Sequence, residues 1–447
     1  MSEASISSPV DDVAALPGIT IGVTGARPRW TVTPWGAVQP WSLGDDAAAG
    51  SLDWHVAADD RWHRPADEPT TRQRRLEGTP VVETRVKVPD GEVVQRIWGI
   101  PDAGGLVVVE FENASSLPLA VAVHGDSIRT ERPPADVPVE GIDLPDDTIV
   151  LPIGHRSTVR VVLGRVRSVP TIPPHLSVVR GWTRVVEQAS RLVLPDAAVA
   201  EAMVSARSDL LLAGPVDADT DPVGFLLDVG ELVRCGDDAE GWLIEMIEPL
   251  ETLLAEIRPS RWRRLGRRDA NDPSATPSIE LVDAVAAVRR AAARARDERA
   301  LADTERLLAD LPSPDPAPPF ALSDLRRDDA DGGSIGRFVR RVERRFADAG
   351  DLLPGGIPSA WLGADFEVHG IPTSPTSSVG YALRWHGERP AVLWEQDGAV
   401  ELTARSVDAD WSTSEARGEA LWNVPANAKL ARRRISFTVE GVSRDGD

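Results

Sequence analysis

Acidic residues crowd one short stretch of the sequence, where Asp228, Glu231, Asp237, Asp238 and Glu240 surround Trp242. Glycoside hydrolysis needs two carboxyl groups facing across a cleft, one with a raised pKa as acid and one as base or nucleophile. An indole face serves as a platform for a sugar ring. Glu231 and Glu240 are therefore candidate catalytic carboxylates, with Asp228 and Trp242 as candidate carbohydrate contacts. A second place of the same kind is Glu395, with Trp394 beside it and Trp385 nearby. The plainer reading is favoured at each place: Asp237 and Glu240 form a helix capping box, Glu231 is solvated, and Glu395 is a surface carboxylate. With 70 Asp and Glu in the chain, closeness in sequence alone does not select a pair.

A basic cluster stands out against this acidic background, with Trp262 set among Arg258, Arg261, Arg263, Arg264, Arg267 and Arg268. Guanidinium forks suit phosphate or an acidic partner, so Arg261, Arg263, Arg264, Arg267 and Arg268 are candidates for anion or partner binding. Cations also belong after a helix C-terminus, which is the favoured reading. The 7 His show no metal-ligand spacing, and the single Cys235 excludes an intrachain disulfide or a thiolate cluster. No phosphate-cradling Gly-x-x-x-x-Gly-Lys, dinucleotide fingerprint or Gly-x-Ser-x-Gly elbow occurs. Neither metal nor cofactor is expected.

A net charge of -21 opposes binding to nucleic acid or an anionic membrane, since both require clustered cations. No apolar run approaches the ~20 residues that cross a bilayer, and the N-terminus lacks the basic-then-apolar pattern of a secretory signal. With its lone cysteine, the chain is expected to be cytoplasmic. The expected partners are a carbohydrate and a protein, either a different chain or a second copy.

Any of these side chains must be held by a scaffold, and hydrophobic periodicity divides the chain into three after a tail at residues 1–18. Residues 19–170 read as short strands of an antiparallel β-sandwich. The clearest signal is Val82, Thr84, Val86 and Val88 alternating with charged residues, then Pro89-Asp90-Gly91 turning into the next strand. Trp30, Trp35, Trp41, Trp54 and Trp62 are expected to fill the space between sheets. Residues 180–350 switch to period 3.6 and suit about six helices. The expected helices start near Trp182, Pro195, Phe225, Asp237, Pro277 and Ile335; Pro249 should kink or split the fourth, and the fifth should run unbroken over residues 277–309. A loop at 258–278 and a Pro- and Asp-rich linker at 311–333 interrupt this region. Strands return over residues 355–442 as a small β-domain.

Particular phrases give this order a family likeness. Pro80-Val-Val-Glu-Thr-Arg-Val-Lys-Val, Val94-Gln-Arg-Ile-Trp98, Val108-Val-Glu-Phe-Glu-Asn113, Gly230-Glu-Leu-Val-Arg-Cys-Gly236, the run from Trp385 to Glu395 and Trp411-Ser-Thr-Ser resemble actinobacterial glucoamylase-like, six-hairpin glycosidase proteins. The resemblance implies a β-supersandwich, an (α/α)6 toroid with catalytic carboxylates on loops at one rim, and a small C-terminal β-domain. Twelve helices with their connections need roughly 190 residues, and residues 182–350 fall short of that even before the irregular loops are removed. The helical domain is therefore expected to be an incomplete toroid. The expected function is non-catalytic, a degenerate glycosidase-like protein in carbohydrate binding or in assembly of a carbohydrate-related complex. Two alternatives stay open: a working glycoside hydrolase or phosphorylase on α-glucosides whose cleft a loop or second subunit completes, and a structural protein-interaction scaffold.

Overall fold

Period-two patterning is realised directly in the first part of the chain. Val82–Val88 and Gly91–Ile100 pair antiparallel with Val82 opposite Ile97, and the two-residue turn between them places Asp90 at φ 59°. This hairpin lies in a six-stranded sheet ordered Ile128–Thr130, Thr158–Leu163, Leu106–Asn113, Gly91–Ile100, Val82–Val88, Arg72–Arg75. A four-stranded sheet (Ile149–Ile153, Leu119–His124, Asp53–Ala57, Trp62–His63) and a three-stranded one (Ile19–Gly22, Arg29–Val32, Val38–Pro40) complete the set. All three contribute to one core, including Trp30, Trp54, Val86, Val109, Phe111, Val121 and Val161. Trp30, Trp54 and Trp62 are fully buried and Trp35 is half-buried, whereas Trp41 is 51% exposed and fills no core.

The computed structural model describes residues 18–41, 50–58, 60–135, 144–263, 279–311 and 333–425, without the side chains of 256–263. The N-terminal tail, the linker and the strand pattern at 435–442 lie outside the described residues. The chain divides into two compact units, Met1–Leu76 with Pro80–Val179, and Glu77–Thr79 with Arg180–Asp447. It is a mixed β and α protein with several antiparallel sheets, β-rich at its N-terminal end.

In the first unit one face of the six-stranded sheet carries a row of alternating charge. Arg74 stands opposite Glu83, Glu83 opposite Arg96, Arg96 opposite Glu110, and Glu110 opposite Arg160, so five strands are cross-linked in line. Glu83 accepts from Arg74 Nη2 at 2.9 Å, Arg85 Nε at 2.9 Å and Arg96 Nε at 3.0 Å. Directly opposed unlike charges stabilise a sheet pair, and each carboxylate here serves two neighbouring strands. Burial alone would raise the Glu83 carboxyl, but hydrogen bonds from Arg85, Arg74 and Arg96 hold it at about 2.

Eight α-helices occur among the described residues, against the six expected: α1 His175–Val186, α2 Ala197–Ala213, α3 Pro222–Arg234, α4 Ala239–Glu245, α5 Ile247–Arg263, α6 Ile279–Ala295, α7 Glu298–Asp310 and α8 Ile335–Arg344. Pro249 does split a helix, since α4 ends just before the first turn of α5. The single helix expected over residues 277–309 is also two, because Arg296 adopts φ 57° and Asp297 caps α7 through Arg299 N and Ala300 N. Trp182, Val185, Val186, Ala189 and Val193 are spaced as one helical face but do not share one helix. α1 stops at Val186, and Arg191–Val193 forms an edge strand. The helix α5 also runs through the first part of the loop expected at 258–278.

That edge strand begins a five-stranded sheet ordered Arg191–Val193, Phe366–Ser374, Ser377–His386, Arg389–Asp397, Arg417–Leu421. A four-stranded sheet (Ala347–Asp348, Asp351–Leu352, Leu402–Ala404, Asp408–Thr413) accompanies it. Helical and C-terminal β segments share one core, with Met203, Leu210, Leu232, Phe338 and Val342 packed together with Phe366, Tyr381 and Trp422. The helix α3 supplies Leu232 to this core and Leu226, Val229 and Val233 to a second one with α4, α5 and α6. Glycine permits the close approaches around it. A Cβ on Gly230 would lie 2.5 Å from Ala287 Cβ, and one on Gly336 would lie 2.5 Å from the Leu227 carbonyl carbon.

Between these cores lies a buried ionic knot. Glu343 of α8, 0% exposed, accepts from Ser190 Oγ at 2.8 Å, Arg207 Nη2 at 3.2 Å, Arg234 Nη2 at 2.7 Å and Arg340 Nη1 at 3.0 Å. Burial would push its carboxyl up, but the charges of Arg234, Arg340 and Arg207 overcome this and hold it well below the ordinary range. Arg234 reaches further, donating to the carbonyls of Ala189 at 2.8 Å and Gly370 at 3.2 Å. One carboxylate thus ties α2, α3 and α8 to two adjacent strands.

Removing one partner from such a knot strands the rest, so Glu343→Gln should cost about 3–5 kcal/mol in urea unfolding followed by helical circular dichroism. A loss below about 1 kcal/mol, the scale of a surface pair, would disprove the structural role. Glu83 titrates low when folded, so its contribution is complete above the ordinary carboxylate pKa of ~4.3 and is lost as pH falls towards 2. The stability gap between the native chain and Glu83→Gln should be constant above about pH 5 and close near pH 2. A gap that persists at pH 2 would contradict the assignment.

Candidate functional site

The carboxylates singled out by sequence are not brought together, and of the three catalytic candidates Glu395 is the one that borders a described cavity. Glu231 is buried, with Oε1 accepting from Arg207 Nε at 2.6 Å and Oε2 from Arg234 Nη1 at 2.7 Å. It is neither solvated nor open to substrate, and it belongs to the Glu343 knot. Asp228 is 1% exposed; its Oδ1 accepts from Gly336 N at 2.6 Å and Ser334 Oγ at 2.8 Å, and its Oδ2 from Val216 N at 3.0 Å. It meets the positive end of α8 and has no surface to offer a sugar.

The capping residue of α4 is Asp238, one place later than expected, accepting from Glu240 N at 3.1 Å. Asp237 instead accepts from Trp242 Nε1 at 3.0 Å, while the Trp242 ring meets the edge of Phe225. Glu240 is exposed in the first turn of α4. Trp394 is 7% exposed, its ring pressed on Gly418 and set edge-on to Trp411, so it presents no platform. Trp385 is half-buried and donates Nε1 to the Ala364 carbonyl at 2.9 Å. Glu395 is exposed on the outer face of the five-stranded sheet. Of the basic cluster, Arg261 and Arg263 lie on the backbone of α5, while Arg264, Arg267 and Arg268 lie outside the described residues.

The surface that does gather chemistry centres on His369, which borders two cavities of the second unit. One, of about 570 Å³, is an open trough on the outer face of the five-stranded sheet. Its floor is Ser378, Gly380 and Ala382, which alternate outward along the central strand, and its far wall is Leu393, Glu395 and Asp397. Small residues let a ligand approach the backbone, and the flanking carboxylates and hydroxyl supply hydrogen bonds.

The other cavity, of about 420 Å³, is lined by Arg180, Thr183, Arg184, Glu187 and Gln188 from α1 and the turn after it, with Glu77, Arg191 and His369. Antiparallel pairing sets Arg191 opposite His369. Arg191 Nη2 donates to Glu367 Oε1 at 2.8 Å and lies 3.3 Å from His369 Nε2; Arg384 Nη2 holds Glu367 Oε2 at 3.1 Å. Burial pushes the Glu187 carboxyl above its ordinary value, against the pull of Arg191, Arg207 and His369. Glu367 goes the other way: burial opposes, but Arg384, His369 and Arg191 hold it low. The two carboxyls are thus shifted in opposite directions, and of the two Glu187 lines the cavity.

No local sequence signal marks these residues. Arg191, Glu367 and His369 meet only because an edge strand hidden in an apolar helical-looking stripe pairs with a strand far along the chain. No group of His, Cys, Asp and Glu among the described residues could hold a metal ion. None of the described helices is long and apolar enough to cross a membrane. No protein-family model matches the chain, and no curated protein matches it.

A carboxyl whose folded pKa is raised favours folding below its ordinary pKa, and that contribution is lost as pH rises through the folded value. Glu187→Gln should therefore unfold at higher urea than the native chain near pH 8 and at the same urea below about pH 4. Equal midpoints at pH 8 would show that the carboxyl bears no desolvation penalty.

Proposed function

We propose that this chain is a glycosidase-like protein without hydrolytic activity that binds carbohydrate, or assembles with a carbohydrate-related complex, through the His369 surface. The architecture in this reading is an N-terminal antiparallel β-supersandwich, an incomplete α/α-toroid-like helical region and a small C-terminal β-sandwich. One observation carries it: the carboxylates that converge in the helical region, Glu231 and Glu343, are sealed among arginines in the interior. An open cleft would be needed for catalysis. The trough over Ser378, Gly380 and Ala382, where Glu395, Gln396 and Asp397 stand beside the apolar Leu393, suits a ligand that carries both hydroxyl groups and an apolar face, as a sugar ring does.

Glu187, which lines the cavity beside α1 and is pushed above its ordinary value by burial, favours a second reading, an active glycoside hydrolase or phosphorylase with Glu187 as acid. Calorimetric titration with α-glucans and trehalose, run beside a nitrophenyl glycoside screen, separates the two. Binding without turnover is expected, and Ala382→Trp, which fills the trough, should weaken binding at least ~10-fold, or 1.4 kcal/mol. Turnover that falls ~10³-fold in Glu187→Gln would establish catalysis instead. No binding by any sugar in the panel would sink the carbohydrate reading.

A further inference from the structure

The cavity beside α1 has a character distinct from the trough. Arg180, Arg184 and Arg191 face Glu77 and Glu187 around it, an excess of positive charge on a chain of net charge -21. The Arg184 guanidinium and the Gln188 amide have no hydrogen-bond partner among the described residues. Arg191 is already oriented, because both of its contacts run from Nη2, to Glu367 and His369. Its Nη1 and Nε are left to turn towards a ligand. A planar guanidinium held in advance, as that of Arg191 is, matches the paired oxygens of a phosphate or carboxylate, and the unpartnered Arg184 can close on the same group. The volume of about 420 Å³ falls in the ~300–1,000 Å³ range of small-molecule sites, and the depression is wide open to solvent, as suits a charged ligand.

We infer that this cavity binds the anionic group of a monosaccharide-sized ligand, a sugar phosphate or a sugar carboxylate, with Arg184 and Arg191 clamping the anion and Gln188 and Glu187 contacting hydroxyls. The sugar part rests on the carbohydrate reading above; the anion clamp does not. A carboxyl placed against a bound anion is driven further towards its neutral form, in which it donates a hydrogen bond instead of repelling. The titratable and charged groups facing it are Glu77, His369, Arg180, Arg184, Arg191 and the more distant Arg207. Glu187 gains a proton in the direction that favours the anion, so binding tightens towards acid pH.

Calorimetry on the full chain with glucose 6-phosphate, glucuronate, inorganic phosphate and glucose tests this. The two anionic sugars are expected to bind at least ~10-fold more tightly than glucose, the value of one good charge-assisted contact. Arg184→Ala should remove that advantage without changing the thermal unfolding curve, since the residue is exposed, and Arg184→Lys should restore only part of it. Glucuronate, still ionised at pH 5, should bind more tightly there than at pH 8, and Glu187→Gln should flatten that slope. A preference for one of the two sugars identifies phosphate or carboxylate as the natural group. Inorganic phosphate binding as tightly as glucose 6-phosphate would uphold the clamp and overturn the sugar part. Glucose binding as well as the anions would overturn the clamp while leaving the carbohydrate reading intact, and anion binding unchanged in Arg184→Ala would overturn the site.

Discussion

The fourfold coordination of the Glu343 carboxylate is the constraint on which the second unit depends. A carboxylate taken fully out of water is tolerable only when every lone pair is met, and here the donors come from α2, α3, α8 and Ser190. The same cations carry that order outward. Arg234 holds the carbonyls of Ala189 and Gly370, and Arg207 holds that of Ser190 at 2.8 Å. Those residues are the immediate neighbours of Gln188, Arg191 and His369. The candidate site is therefore the outer surface of the buried knot, and its geometry is inherited from it.

Almost every cation in the chain is arginine. Lysine could not replace it at either of the two large ionic assemblies. Arg96 reaches Glu83 with Nε and Glu112 with Nη1, and Arg207 uses Nε, Nη1 and Nη2 on three different acceptors. A fixed fork of donors lets one side chain bridge several elements, where an ammonium would act as a point charge. The sheet row and the helical knot are two uses of one device, the first across the strands of one sheet and the second between helices.

Legibility in the sequence followed the range of the interactions. The hairpin from Val82 to Ile100 was readable because alternation and turn are contained within it, and the break before Pro249 was readable because proline acts on its own helix. Boundaries moved where a competing local device was overlooked. Asp297 caps a new helix inside what looked like a continuous one, and Asp238 takes the role assigned to Asp237. The strand Arg191–Val193 was hidden because three residues cannot show a period, and it is a strand only by pairing with Glu367–His369. Glu231 looked solvated for the same reason, since its partners Arg207 and Arg234 have meaning only once α2 and α3 are side by side. Function was less readable than fold because the His369 surface comes together only through that pairing, although Glu395, singled out in the sequence, does line the trough.

The knot also constrains how this protein can change over generations. Replacing any one of Arg207, Glu231, Arg234 or Glu343 leaves a buried charge without its counterpart, at about 3–5 kcal/mol, a large part of the ~5–15 kcal/mol that holds a typical domain together. A lineage therefore cannot drift through these positions one at a time. They can be exchanged as a set for apolar residues of similar volume, which is often neutral or stabilising, but the intermediate steps are closed. Such sites behave as a single inherited character. The surface loops and the outward residues of the trough, free of that coupling, are where descendants can diverge in what they recognise while the interior stays fixed.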